Sequence, residues 1–227
     1  MSRSLKRQNP DIFDRFETPR SKAPPLQAKN VLQQALIESL YRNQLTFALG
    51  PAGTGKTYVA TRIAAEMLED KEVDRIVITR PVVEAGENMG FLPGKIEDKF
   101  APYFGPVREI LEEHFGGSHV SGMMKTGKIE IAPLAFMRGR TFKNSFVLFD
   151  EAQNTTPVQM KLFLTRLGEG SVVCVSGDQK QSDIAGHSGL DDALCRLSLV
   201  DCIGQVQFNS SHVVRSNLVQ KIVEAYE

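Results

Sequence analysis

The sequence has no tryptophan, and its three cysteines, Cys174, Cys195 and Cys202, show no paired spacing. That excludes a disulfide framework and suits a reducing compartment, with the thiols as small packing residues. Cys174 lies inside an apolar run and is expected to be buried. Net charge is missing too: 27 Lys and Arg balance 27 Asp and Glu in 227 residues. No global field therefore announces nucleic acid, and any such role must come from local patches. No apolar run approaches the ~18 residues of a membrane span. Met1 to Arg15 has basic residues but no apolar segment behind them, so it does not read as a secretory leader. The four histidines, His114, His119, His187 and His212, lack metal-ligand spacing and are assigned no chemistry. What remains is a soluble, cytoplasmic chain. Its apolar content of 41% suffices for an ordinary core in one sizeable domain.

The most informative stretch is Gly50-Pro51-Ala52-Gly53-Thr54-Gly55-Lys56-Thr57. It follows a mostly apolar run, Leu45–Leu49, and opens a helical pattern from Tyr58 to Leu68. Strand, glycine-rich loop and helix are the context of a phosphate-binding P-loop. Glycines let backbone N–H groups converge on an anion, and the helix aims its positive end at the same phosphates. Lys56 is a mobile charge for the β- and γ-phosphates, and the Thr57 hydroxyl is a hard oxygen for Mg²⁺. A plain turn has no need of Lys-Thr at this spacing. The expected cofactors are ATP and Mg²⁺, with Gly50 through Tyr58 (Pro51, Ala52, Gly53, Thr54, Gly55, Lys56 and Thr57 between them) around the nucleotide.

Residues 1–24 form a polar, proline-bearing and basic extension, read as a solvated tail or surface strap, or else as an arm touching a neighbour or nucleic acid. Gln27 to Arg42 carries apolar residues at helical spacing (Val31, Leu32, Ala35, Leu36, Leu40). Gln27, near its start, could offer its amide to an adenine edge. Arg75–Thr79 is a β-branched run of the kind buried on both faces in a parallel sheet, and it ends in Arg80-Pro81. Residues 84–94, with Glu84 and Glu87, read as a loop. Residues 96–115, interrupted by Pro102 and Pro106, read as two short helical pieces whose Phe100, Tyr103 and Phe104 either pack on the core or stack on bases. Lys125 to Lys143 is basic, with Glu130 the sole acid. It holds a short strand, 129–132, and then Arg138-Gly139-Arg140, where two arginines around a glycine can grip phosphate.

Ser145–Phe149 is a second buried strand, and it runs into Asp150-Glu151. Asp150 can hold a water of the Mg²⁺ shell, and Glu151 can polarise the attacking water as a general base. Both motifs should end on one side of a parallel sheet, where ligands bind. A helix over 157–167 and a strand over 171–176 follow, then Gly177-Asp178-Gln179, with Gln179 as a γ-phosphate sensor. A helix over 190–199, a strand over 204–208 and a last helix over 218–226 complete the pattern. Arg215, at the strand-to-helix connection before that last helix, can act as an arginine finger.

In this order, Gly50–Thr57, Thr79-Arg80-Pro81, Met137–Thr141, Asp150–Asn154, Ser176–Gln179 and Val213-Val214-Arg215 resemble the PhoH family, over about residues 20–227. The resemblance implies an α/β, RecA-like P-loop NTPase core akin to half of a superfamily-one helicase: a mostly parallel sheet flanked by helices on both faces, spanning residues 25–227. It also implies ring assembly, as a hexamer, and a link to RNA. The chain departs from the family in Asn209–His212, where an acidic stretch is usual. Its length leaves no room for a fused RNase-like (PIN) or RNA-binding (KH) domain and fits a phage-encoded member. The expected function is Mg²⁺-dependent ATP hydrolysis coupled to remodelling or unwinding of RNA or single-stranded nucleic acid. Lys56, Glu151, Gln179 and Arg215 would be catalytic, Thr57 and Asp150 the metal's residues, and Arg80, Arg138 and Arg140 the nucleic-acid or trans-arginine candidates. The alternative is an ATP-gated binding or assembly module with little hydrolysis. A kinase is disfavoured because Asp150-Glu151-Ala152-Gln153 suits water activation, and a nuclease would need further carboxylates.

Overall fold

The computed structural model describes residues 23–81, 104–184 and 186–209. The chain builds, in order, α1 (Val31–Arg42), β1 (Leu45–Leu49), α2 (Lys56–Glu69), β2 (Arg75–Arg80), α3 (Gly105–Phe115), α4 (Gly117–Lys125), β3 (Ile129–Pro133), β4 (Ser145–Phe149), α5 (Pro157–Leu164), β5 (Val172–Gly177), α6 (Gly189–Leu197) and β6 (Ile203–Gln207). The six strands form one sheet in the order β3-β2-β4-β5-β1-β6, and every pairing is parallel.

Side-chain alternation explains why such apolar strands are needed. In β4, Phe146 and Leu148 join the core on one face of the sheet, and Val147 and Phe149 join the core on the other. The first core takes Leu36 and Leu40 of α1, Val59 and Ile63 of α2, Leu111 of α3 and Val120 of α4. The second takes Met160 and Phe163 of α5 and Leu190 of α6. There the Phe149 and Phe163 rings lie 4.3 Å apart between centroids. A sheet apolar on both faces must be covered on both, which gives three layers. Cys174 is buried as expected, and burial pushes its thiol well above the ordinary range.

The boundaries differ from the sequence expectation for identifiable reasons. α1 starts at Val31 rather than Gln27 because Asn30 caps it, its side chain accepting from Leu32 N and Gln33 N. α5 stops at Leu164 rather than Leu167. The chain beyond it pairs with the segment before β4, Phe142 N donating to Arg166 O at 2.8 Å. α4 has no counterpart in the sequence reading; it buries Val120 and Met123. Phe104 is buried in the core and does not present itself for stacking. Phe100, Tyr103, the loop over 84–94, the last helix and Arg215 lie outside the described residues.

Because all strands are parallel, the residues that follow them emerge at one edge. β5 lies between β1 and β4, and β4 lies between β5 and β2. The phosphate loop after β1, Asp178 after β5, Asp150 after β4 and Arg80 ending β2 therefore stand side by side, at the edge where ligands bind in such sheets.

Candidate nucleotide site

The loop after β1 is shaped by glycine. Gly50 has φ 126°, and a Cβ there would come 2.4 Å from the carbonyl oxygen of Phe208. Gly55 has φ 88°, and a Cβ there would meet Gln33 Nε2 at 2.6 Å. Any side chain at either position would push the loop off its supports. Gly50 N donates to Gly177 O at 3.0 Å, which ties the loop to the end of β5. Gln33 is the other support: its Nε2 donates to Thr54 O at 3.0 Å and its Oε1 accepts from Lys29 N at 2.9 Å.

Lys56 folds into the loop it follows. Its Nζ donates to Gly50 O at 2.6 Å and to Pro51 O at 2.8 Å, and the residue is buried. Burial holds its ammonium below the usual lysine range, opposed by the charges of Asp150, Asp178 and Glu151. The Thr57 hydroxyl donates to Asp150 Oδ1 at 3.1 Å, joining the phosphate loop to the end of β4. Asp150 is pushed above the ordinary carboxylate range, first by burial and then by Glu151. The Ser176 hydroxyl, Arg80 and the Thr57 hydroxyl pull the other way.

Glu151 takes a left-handed backbone conformation, φ 54° and ψ 39°, at a cost of roughly 1 kcal/mol for a residue with a Cβ. That turn sets it on the wall of a cavity of about 300 Å³. The cavity is lined by Ala52, Gly53, Gly55, Lys56, Thr57 and Tyr58 of the loop and α2, and by Arg80, Asp150 and Glu151. Ser176, Gly177, Asp178 and Gln181 form a further wall, with Pro106 and Val107 at the start of α3. Arg80 Nη2 stands 4.0 Å from Glu151 Oε1, a partly exposed and screened pair.

Most of the residues expected at the site meet there. Gly50, Pro51 and Thr54 hold Lys56 and the loop rather than lining the cavity. Gln27 is exposed in the segment before α1 and is not on the cavity wall. Gln179 is also exposed and donates to Asp191 Oδ1 at 2.7 Å, while Gln181 stands on the wall. Arg138 is exposed in its turn. Arg140 makes a two-point ion pair with Glu130, its Nη2 reaching Oε2 at 2.6 Å, and stacks over Phe142. Neither arginine lines the cavity. No site role is read from the sequence pattern for Gln33, Ser176 or Gln181, and Gln153 enters it only within the Asp150–Gln153 run. For Gln33 the signal existed: it shares the buried face of α1 with Leu36 and Leu40, where an idle amide would be costly.

A divalent cation fits the donor set. Among the described residues no group of three or more His, Cys, Asp or Glu could hold a metal alone. Mg²⁺ needs no such cage, because it binds through one or two protein oxygens, substrate phosphates and water. Thr57 and Asp150 supply two hard oxygens beside the cradle.

The sequence profile described as PhoH-like protein matches residues 25–227. The chain belongs to the PhoH family. It is 45% identical over 218 residues to the PhoH-like protein of Bacillus subtilis (strain 168), covering 95% of this chain and 68% of that protein. It is 48% identical over 206 residues to Protein PhoH of Escherichia coli (strain K12), covering 89% of this chain and 58% of that one. The chain thus spans between 58% and 68% of the length of these PhoH relatives. Among solved structures it is similar to the large terminase from a thermophilic bacteriophage, with a TM-score of 0.57 at 12% identity, over 88% of this chain and 51% of that one. At that identity the likeness concerns the fold, which is the RecA-like P-loop NTPase fold.

Proposed function

We propose that this PhoH-family chain is a Mg²⁺-dependent ATPase that couples hydrolysis to work on RNA or single-stranded nucleic acid as a ring oligomer. The observation that carries the reading is the Thr57–Asp150 contact. It brings the phosphate loop, a metal-side carboxylate and Glu151 around one cavity. Loop N–H groups and Lys56 bind the triphosphate. Thr57 and Asp150 would hold Mg²⁺, which would supply charge neutralisation on the phosphates. Glu151 accepts the proton of the attacking water. The γ-phosphate contact expected of Gln179 is assigned in this proposal to Gln181, which is on the wall. Arg80 adds positive charge beside the reacting group.

Among the described residues, no second domain faces this cavity. A neighbour in a ring would close it and bring an arginine, with Arg215 or the exposed Arg138 as candidates. The nucleic-acid link rests on the family and on the basic turn at Arg138. Three unpaired cysteines fit a reducing cytoplasm, and among the described residues no helix is long and apolar enough to cross a membrane.

The decisive experiment measures Mg²⁺-dependent phosphate release with and without RNA, alongside Glu151→Gln. That variant should bind ATP normally and lose turnover by roughly 100-fold or more. Full turnover in Glu151→Gln would remove Glu151 from its role. A slow wild-type rate unmoved by RNA would favour the ATP-gated module instead.

A further inference from the structure

Gln153 lies in the short 3₁₀ turn Ala152–Asn154 just after Glu151 and is 2% exposed. Both ends of its carboxamide are engaged. Nε2 donates to Glu151 Oε2 at 2.6 Å, and Oε1 accepts from Asp178 N at 3.0 Å. Its main-chain oxygen accepts from the hydroxyls of Ser188 at 2.9 Å and Ser182 at 3.3 Å. The next residue extends the seam: Asn154 Nδ2 donates to Asp183 Oδ2 at 3.1 Å, and Asp183 N donates to Asn154 Oδ1 at 2.8 Å. The turn after β4 is thereby fastened to the segment after β5, which carries Gln181 to the cavity wall.

A carboxamide suits this place because it is donor and acceptor at once. A carboxylate could accept from Asp178 N but not donate to Glu151, and an apolar side chain could do neither. The fit is close, since a Cβ on Gly177 would come 2.9 Å from Gln153 Oε1. Glu151 itself is half-exposed and has the Arg80 guanidinium only at 4.0 Å, so the bond from Gln153 is the tighter restraint on its carboxylate.

We propose that Gln153 is a positioning residue for ATP hydrolysis, holding the Glu151 carboxylate at the cavity wall in register with the segment that follows β5. The proposal rests on the ATPase reading above. Displacement of that segment is then felt at the water-activating group through one side chain.

The test uses the full chain with Gln153→Glu and Gln153→Met, beside wild type and Glu151→Gln. It follows kcat, KM for ATP, binding of a fluorescent ATP analogue and the pH profile of kcat. Both Gln153 variants should keep KM and binding within about twofold and lose roughly 10- to 100-fold in kcat, the scale of a displaced catalytic group. In Gln153→Glu the acid limb of kcat should move to higher pH, because a second carboxylate opposes ionisation of the first. Lys56, Arg80, Asp150 and Asp178 face the same group and are unchanged in every variant. Adding either Gln153 change to Glu151→Gln should cost little beyond Glu151→Gln alone, as expected for residues acting as a unit. If wild type hydrolyses ATP and depends on Glu151 while both Gln153 variants keep its kcat and acid limb, the positioning role is overturned and the ATPase reading stands. Should Gln153→Met fail to fold, Gln153→Glu decides, and parallel loss of binding and kcat in it also overturns the role. If wild type releases no phosphate, the ATPase reading falls and the positioning role with it.

Discussion

Asp150 sits where an anion is hard to keep. Burial and the neighbouring Glu151 raise its proton affinity, and three weaker contacts oppose them. The sign follows from linkage. A carboxyl that binds its proton more tightly in the fold contributes stability in full at low pH and loses it as pH rises through the raised value. At neutral pH the group therefore works against the nucleotide-free fold. Asp150→Asn keeps the shape and removes the charge. It should raise the calorimetric melting temperature at about pH 8, with the gain over wild type vanishing near pH 4. The same variant should lose Mg²⁺-dependent nucleotide binding. An unchanged or lower melting temperature at about pH 8 would contradict the argument. A carboxylate that strains its own fold is a familiar pattern at active sites.

Helices carry two further expectations. α1 supports the phosphate loop through Gln33. Gln33→Ala orphans the buried Thr54 O and removes the acceptor of the part-buried Lys29 N, the first worth about 1–3 kcal/mol of stability. Urea unfolding should show that loss, and KM for ATP should rise with kcat little changed; an unaltered KM would place the loop's support elsewhere. The α2–α3 seam carries His114, whose side chain is 3% exposed, with Nε2 3.4 Å from Glu69 Oε2. Among the described residues its Nδ1 has no hydrogen-bond partner. Burial and the Arg62 charge hold the imidazole below its ordinary range, against Glu69. A base depressed in the fold contributes stability that is present above its unfolded value and lost as pH falls. Below about pH 6.5 the wild type should lose stability more steeply than His114→Gln, as chemical denaturation at several pH values would show. Equal slopes would discount the histidine. At this scale the sequence was readable where the pattern was strong. Continuous apolar runs marked β1, β2, β4 and β5, and Gly50–Thr57 marked the loop. Ends were less readable: α1 begins at a cap that competes with helical spacing, and α5 ends where tertiary pairing takes the chain.

The molecule as a whole gathers what its motifs separate. That phosphate loop and acid pair share one sheet edge was deducible from parallel strands. That β5 stands between them was not, because strand order is set by how whole layers pack, not by local pattern. The same limit hid Gln153 and Gln181, whose places depend on two turns meeting. Assembly is the expectation that belongs here. Native mass measurement should show a shift toward a hexameric species when ATP and Mg²⁺ are added, and a monomer under every condition would exclude the ring. The contact of Lys56 with the Gly50 and Pro51 carbonyls has its own consequence. On the ATPase reading, an incoming phosphate has to compete with these two carbonyls for the ammonium. A triphosphate, reaching the loop amides at several points, would compete better than a lone orthophosphate, so the loop should favour nucleotide over abundant small anions.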